Sequence, residues 1–283
     1  MAGPGAASTP HFQNPPVVET VLGVQFTPLR KMRITHYGLL LPHLCDAFPA
    51  ATERLTRFSE QPPLDPIIES FEQVVPREPS LRWSVTPGPP LPRCWYASDD
   101  EQYLLQVQPD RFLLNWRQQR GTSGEYPRYT TICDRFLKSL RVFRQFAAEQ
   151  SLGSVEPNQC EVTYVNHIEL LPTLGVAATL DRVLMGWKLG SSDGWLTQGE
   201  SGEFKASYVI AQKRGRLHVD ARPAVRRDNG QEIIRLDLTA RGAPPQPDLD
   251  GVRAWLDLGH EWVVRGFKSL TTSEMHTIWG LLV

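Results

Sequence analysis

The sequence lacks the features by which several large classes of protein are recognised. No apolar run approaches the ~20 residues of a membrane-spanning helix, and residues 1–16 have neither an apolar core nor an early basic cluster, so no secretory signal is expected. The four cysteines lie far apart without a CxxC pair, which favours reduced thiols in the core. The formal net charge of −1 argues against gross electrostatic capture of nucleic acid or anionic membrane. We therefore expect a soluble, cytoplasmic protein.

The common catalytic and cofactor motifs are also missing. The sequence contains no GxxxxGK[ST], no GxGxxG after a strand, no HExxH and no GxSxG. The glycine-containing stretches 121–124 and 190–194 are expected to be plain loops, because neither is followed by the helix that a phosphate cradle requires. We expect no cofactor and no metal, and we favour a non-enzymatic protein, although the sequence leaves enzymatic activity open.

What the sequence does contain is a clear set of strands in residues 93–117. Two turn signals, Ser98-Asp99-Asp100 and Pro109-Asp110, divide this segment. Around them apolar and polar residues alternate, which predicts an antiparallel meander with one buried and one polar face. The residues expected on the buried face are Tyr103, Leu105, Val107, Phe112, Leu114 and Trp116.

A long amphipathic helix is predicted directly after the meander. Pro127 suits its first turn, where a missing N–H has no partner to lose, and Gly153 ends it. Its apolar residues recur with the helical period of 3.6, which predicts that one face packs on the meander. These residues are Tyr129, Ile132, Cys133, Phe136, Leu140, Phe143 and Ala147.

The order of predicted elements occurs twice. After a flexible lead over residues 1–14, residues 15–155 read as strand, helix, three strands and long helix, with a proline-rich excursion at 62–92. Residues 156–283 repeat that order. The predicted fold is α+β, with two tandem units whose antiparallel sheets are each covered by a long helix. The units would pack by joining sheet edges or by facing one another.

Two segments carry more specific expectations. Pro42 lies inside the helix predicted for residues 34–48, so we expect a kink or two short helices there. Residues 271–283, which include Trp279, are expected to form a tail.

Several stretches resemble one known family. They are NPPVVETVLGVQF (14–26), CWYASDDEQYLLQVQPDRFLLNWR (94–117), YPRYTTICDRF (126–136), CEVTYVNHIEL (160–170) and TTSEMHTIWG (271–280). Together they resemble a sporadically distributed bacterial family of uncharacterised proteins of similar length. The resemblance covers nearly the whole chain and implies no established chemistry. The patchy occurrence of the family implies an accessory gene, such as one in a defence or toxin–antitoxin locus.

Polar residues on the outer face of the meander are candidates for a ligand site. They alternate with buried aliphatic residues, and if the two units close over this face they would line a cleft. Within this cleft, the guanidinium group of Arg117 would bind a carboxylate or phosphate in a bidentate manner. The alternative is that the outer face simply meets water. The residues are Gln106, Gln108, Asn115, Arg117 and Asn166.

A second candidate surface is the polar side of the long helix. Its basic residues, together with nearby aromatic residues, could hold a single-stranded nucleic acid through phosphate pairing and base stacking. Against this, Phe112 and Trp116 belong to the predicted core. The basic residues are Arg128, Arg135, Lys138 and Arg144, and a separate basic cluster comprises Lys213, Arg214, Arg216, Arg222, Arg226 and Arg227.

Histidines offer weaker candidates. His167 and Glu169 lie two residues apart on a predicted strand, so both point to one face and could hold a metal or form an acid–base couple. A strand histidine satisfied by hydrogen bonds is the alternative. His36 and His43 are seven residues apart with Pro42 between them, which makes shared metal binding doubtful.

From these observations we expect a non-enzymatic protein that binds a partner protein or itself. The proline-rich excursion and the aromatic residues Trp83, Trp195 and Trp279 would supply the surface. The alternative is a binder of an anionic ligand or of single-stranded nucleic acid, centred on Arg117 and the 128–144 helix face.

Overall fold

The computed structural model describes residues 9–45, 47–48, 53–69, 71, 90–119, 126–188, 195 and 199–282. The helices are α1 (Ile34–Cys45), α2 (Arg128–Glu149), α3 (Val176–Val183), α4 (Leu249–Leu270) and α5 (Ser273–Ile278). The strands are β1 (His11–Phe12), β2 (Val17–Phe26), β3 (Leu55–Gln61), β4 (Arg93–Ser98), β5 (Tyr103–Gln108), β6 (Arg111–Arg117), β7 (Pro157–Glu169), β8 (Phe204–Ile210), β9 (Gly215–Val225), β10 (Glu232–Gly242) and β11 (Leu281–Leu282). The α+β class is confirmed.

A single antiparallel sheet holds nine of the strands in the order β3-β4-β5-β6-β2-β7-β10-β9-β8. Its two parts meet where β2 pairs with β7, from Val17 opposite Asn166 to Phe26 opposite Pro157. Of the two arrangements that the sequence left open, the structure therefore shows joined sheet edges. The pairing protects two strand edges that would otherwise expose a row of unsatisfied backbone groups.

The sheet has an apolar face and a polar face, because successive residues of a strand point to opposite sides. On the helical face, α2 contacts β2 and β6, and α4 contacts β7, β9 and β10. Stacking of Phe112 on Phe143, with ring centroids 5.2 Å apart, ties β6 to α2. The helices meet each other beside the sheet, where Tyr129 of α2 stacks on His260 of α4 at 4.0 Å.

The sheet contains one strand that the sequence patterns did not indicate. β3 pairs with β4 at the edge of the sheet, with Leu55 opposite Ser98 and Gln61 opposite Arg93. Only Leu55 of β3 is buried. An edge strand with a mostly exposed face does not show the alternation by which strands are recognised, so β3 has no signature in its own sequence.

The ends of the described chain are docked rather than loose. β1, which lies in the predicted lead, pairs with β11, which lies in the predicted tail, and α5 precedes β11. Phe12 contacts Phe267 at 5.4 Å, and Trp279 contacts Phe267 at 4.9 Å. These aromatic contacts hold residues 9–14 and 271–282 against α4. The expectation of a flexible lead therefore fails for residues 9–14. Of the two outcomes expected at Pro42, two short helices are excluded, because α1 continues through this residue as one helix.

Part of the predicted proline-rich excursion crosses the polar face, and we call residues 62–69 the strap. Glutamine side chains on three strands bond to its backbone. The Gln108 amide exchanges two hydrogen bonds of 2.9 Å with Leu64. Gln25 accepts from Ile67 N at 3.1 Å, and Gln159 accepts from Glu69 N at 3.1 Å. These bonds satisfy an extended backbone that pairs with no strand among the described residues, and the strap covers one end of the polar face.

A close approach between β9, β10 and α4 gives a first prediction about stability. A Cβ atom on Gly242 would lie 2.1 Å from the Arg214 carbonyl oxygen, which is backbone and has little freedom to move. We expect Gly242→Ala to lower the free energy of unfolding by about 1–2 kcal/mol through overpacking.

Gly38→Ala is the matched control, because Gly38 lies in α1 with no described atom within 4 Å of the added Cβ. That change should stabilise by about 0.5–1 kcal/mol. Urea denaturation checks both, and equal effects would contradict the packing argument.

Candidate anion site

The end of the polar face that the strap leaves uncovered holds an open groove of about 750 Å³. It lies where β6, β7 and β9 end and where β2 and β10 begin. We call it the Arg117 groove. Its charged and titratable side chains include Glu19, Arg117, His167, Arg226, Arg227 and Arg235.

Strand alternation places Arg117 in this groove. Trp116 faces the helices and is 1% exposed, so the next residue on β6 faces the polar side. Opposite Arg117 across the strand pair is Glu19 of β2. The backbone of the two strands therefore fixes where the guanidinium group emerges, and the sheet provides a rigid support for it.

The guanidinium group of Arg117 is half-buried and has no carboxylate within 4 Å among the described residues. It donates to the Glu101 carbonyl oxygen at 3.3 Å. Its Nε is buried without a hydrogen-bond partner in the described chain, as is Nε of Arg226. Burial lowers the pKa of Arg117 and the nearby Glu19 carboxylate opposes that shift. The group stays charged at neutral pH, since even a lowered arginine pKa lies far above 7.

The other arginines of the groove differ in how far they are neutralised. Arg226 lies 3.5 Å from the Glu169 carboxylate, which is itself largely exposed. Arg235 binds both oxygens of Asp237 at 2.9 Å. Arg227 is exposed and forms no ion pair within the part of the chain that the structure describes. Among the described residues, Arg117 and Arg227 are thus the two cations of the groove that have no carboxylate partner within 4 Å.

His167 lies among these cations as a neutral group. Burial, followed by the charges of Arg226 and Arg235, lowers its pKa. At neutral pH the ring therefore carries one N–H donor and one acceptor nitrogen. Glu169 lines the same groove, as the predicted spacing requires. The described residues contain no group of three or more histidine, cysteine or carboxylate side chains that could hold a metal.

Two of the predicted ligand residues form a hydrogen-bonded chain instead of an open surface. Gln106 accepts from Trp95 Nε1 at 3.0 Å and donates to Asn115 Oδ1 at 2.6 Å. Asn115 donates in turn to Glu19 at 2.7 Å. The chain crosses four strands and orients the Glu19 carboxylate beside the Arg117 groove. Gln106 and Asn115 are thus placed to support the groove.

The remaining predicted ligand residues lie elsewhere. Gln108 is under the strap and 2% exposed. Asn166 pairs with Leu236 and belongs to the helical face of the sheet, where its amide donates to the Leu236 carbonyl oxygen at 3.0 Å. The five residues therefore do not share one cleft. Asn166 faces the helices because it lies on the same side of β7 as Tyr164, while Val165 and His167 face the groove. β2 also separates β6 from β7 in the sheet.

The predicted basic face of α2 is also divided. Arg128 lines a cavity on the helical face. Arg135 pairs with Glu53 at 2.7 Å and lies 4.0 Å over the Tyr103 ring. Lys138 is exposed and Arg144 half-exposed on the outer side of the helix. The structure does not join the four into one continuous cationic surface.

No pattern in the sequence indicated that Glu19, Arg235 and β9 contribute to the groove. Arg226 and Arg227 belong to a basic cluster that was visible in the sequence, but nothing local placed this cluster beside Arg117. His36 and His43, the other candidate pair, both pack on Phe146, at 6.5 and 5.4 Å.

Comparison with models of known protein families gives no match, and a search among curated proteins finds no similar sequence. The resemblance to the bacterial family stays a prediction. No helix in the described residues is long and apolar enough to cross a bilayer.

Proposed function

We propose that the Arg117 groove binds the anionic head group of a small ligand, either a phosphate or a carboxylate. The observation that carries the proposal is the half-buried guanidinium group of Arg117 without a carboxylate partner in the described chain. A charge that has lost part of its hydration without gaining a counterion is unfavourable. An incoming anion would supply the missing partner, and guanidinium groups bind phosphate and carboxylate through paired hydrogen bonds.

The other groups of the groove fit a compact anion. Arg227 adds an exposed cation. Neutral His167 supplies a hydrogen-bond donor without adding a charge that would repel Arg226 and Arg235. Glu19, Glu169 and Asp228 also line the groove, so its charge is only weakly positive. A long polyanion needs an extended track of unpaired cations, and this groove supplies a local site.

Single-stranded nucleic acid is less well supported at this position. Such ligands gain much of their affinity from base stacking on aromatic side chains. No aromatic residue other than His167 lines the groove within the described residues. A small phosphorylated or carboxylated molecule is therefore the better candidate.

Pyrophosphate is a suitable probe of the site. We expect Arg117→Ala to weaken its binding by about tenfold or more, because a charge-assisted bidentate contact is lost. Arg117→Lys should retain part of the affinity, since the charge remains but the planar fork is lost. Affinity should fall as salt rises. Isothermal titration calorimetry measures each value.

The matched control is Arg182→Ala. Arg182 is exposed and pairs with Glu274 at 3.2 Å on another part of the surface. This variant should bind pyrophosphate like the parent chain. Unchanged binding by Arg117→Ala, or equal weakening by both variants, would contradict the proposed site.

Partner binding remains a second proposal, and one observation favours it. Trp195 is 86% exposed, and large aromatic residues at such positions are common anchors of protein interfaces. Trp279, in contrast, is 6% exposed and packs against Phe267. Trp83 lies outside the described residues. A chain that is monomeric by light scattering, with Trp195→Ala leaving every measured association unchanged, would oppose this proposal.

We also infer that the fold arose by duplication of one α+β unit. Outward from the β2–β7 pair, the sheet continues through β6, β5 and β4 on one side and β10, β9 and β8 on the other. α2 follows β6 in the chain, as α4 follows β10. A crystal structure with α2 and α4 at non-equivalent positions over the sheet would contradict the duplication.

A further inference from the structure

The helical face of the sheet contains a cavity that the Arg117 groove does not involve. Its volume is about 230 Å³, and it lies between residues 9–17, the first turn of α2, α4 and β7. We call it the central cavity. Exposed residues Thr9, His11 and Thr130 form its rim. Its walls are largely apolar and include Phe12, Val17, Leu238, Val263, Val264 and Phe267.

One wall of the central cavity carries a fixed chain of hydrogen bonds. The Tyr126 hydroxyl donates to the Tyr164 hydroxyl at 2.9 Å. The Tyr164 hydroxyl also lies 2.9 Å from Nδ1 of His260. Because this hydroxyl already accepts from Tyr126, we assign it as the donor to Nδ1, which places the proton of the neutral imidazole on Nε2. The donor Nε2–H makes no hydrogen bond to any residue that the structure describes.

The ring of His260 is held rigidly in this orientation. Tyr129 stacks on it with an interplanar angle of 2°, and the Tyr129 hydroxyl donates to Asp257 at 2.7 Å. Burial lowers the pKa of His260 to about 4, against the opposing charge of Asp257. The ring therefore offers a preorganised neutral donor at physiological pH.

Arg128 gives the central cavity its charge. It lines the cavity, donates from Nη1 to the Phe12 carbonyl oxygen at 3.1 Å and lies 5.8 Å over the Tyr126 ring. No carboxylate lines the cavity within the described chain, and Arg128 forms no ion pair there. Its φ of 66° lies in the left-handed region.

We propose that the central cavity binds a small monocarboxylate with an apolar body, whose carboxylate is recognised by Arg128 and Nε2–H of His260. A cavity of about 150 Å³ holds benzene. The space here therefore suits an aromatic ring with a short acidic side chain, or a short acyl chain. The apolar walls bury the body of the ligand, and the cation and the neutral donor select its head group. This site goes beyond the anion site of the groove and lies on the opposite face of the sheet.

The test uses the full chain and three probes: phenylacetate, octanoate and the neutral phenylacetamide. Isothermal titration calorimetry should show at least one carboxylate binding with a Kd of about 1 mM or tighter, and phenylacetamide binding about tenfold more weakly than phenylacetate. Arg128→Gly should abolish that preference for phenylacetate. Glycine also accommodates the left-handed φ, so this variant introduces no backbone strain.

Two more variants test whether the central cavity is the place where the probes bind. Val264→Phe fills the cavity while leaving Arg128 and His260 in place, and it should weaken every probe by about tenfold or more. Arg182→Ala should leave phenylacetate binding unchanged, since it alters only an exposed ion pair with Glu274 that lies outside both sites. Failure of both carboxylates to bind the parent chain, equal binding of phenylacetamide, or unchanged binding by Val264→Phe would each overturn the proposal.

Discussion

Replacing Trp255 with alanine is expected to lower the free energy of unfolding by about 3–5 kcal/mol, as for other fully buried aromatic residues. Trp255 is 2% exposed, and its Nε1 donates to the Arg214 carbonyl oxygen at 3.2 Å. Gly242 and Gly259 leave room for its ring, with added Cβ atoms 2.8 and 2.9 Å from it. Because backbone surrounds the ring, the structure has little freedom to collapse into the space that alanine would leave.

The matched control is Trp195→Ala. The side chain of Trp195 is 86% exposed, so its removal should change stability by no more than about 0.5 kcal/mol. Urea denaturation followed by circular dichroism measures both variants. If the two midpoints move equally, the packing of α4 on β9 and β10 does not depend on this ring as the structure indicates.

Removing Glu69 is expected to release the end of the strap and to destabilise the fold by about 2–3 kcal/mol at neutral pH. Glu69 is nearly buried, pairs with Arg216 at 2.9 Å and also bonds His218. Arg216 in turn lies 4.3 Å over the Phe71 ring. Loss of one partner of a fully buried ion pair costs about 3–5 kcal/mol, and here the cations are partly exposed, so the effect should be smaller. Glu69→Ala should also make the strap more sensitive to limited proteolysis.

The ionisation of Glu69 should also make the stability of the fold depend on pH. Burial alone would raise the pKa of Glu69, but hydrogen bonds from His218 and Arg216 and their charges outweigh it, so its pKa lies below the ordinary value. A carboxyl group with a depressed pKa in the folded state stabilises the fold above its unfolded pKa of about 4.3. That contribution is lost as pH falls through the folded pKa. The difference in stability between the parent chain and Glu69→Ala should therefore shrink below about pH 4.

Glu203→Gln provides the comparison for this prediction. Glu203 is exposed and pairs with Lys205 at 3.0 Å. An exposed pair of this kind contributes little, so the variant should follow the parent chain across the same pH range. A Glu69→Ala deficit that stays constant down to pH 3 would show that the carboxylate is not the cause.

Sequence patterns indicated some residues of the two candidate sites and not others. Arg117 was recognised as a potential anion contact because it alternates with buried residues on β6, and the structure places it in an open groove. The sequence did not indicate that the cations near the end of β9 and on β10 lie beside Arg117, because no pattern in those segments shows that they approach β6. The local sequence of α4 does not indicate a site at His260, because its partners Tyr129 and Tyr164 lie on α2 and β7.

The sequence by itself determined the elements whose apolar residues follow a regular period, above all α2, α4, β5, β6 and β10. Local periodicity reports which side of an element is buried, and burial of one side is a property that nearby residues encode. The tertiary structure alone decided that β2 pairs with β7, that the strap closes one end of the polar face and that an edge strand precedes β4. These features depend on contacts between residues far apart in the chain, and no local pattern specifies which distant partner a strand or a side chain will meet.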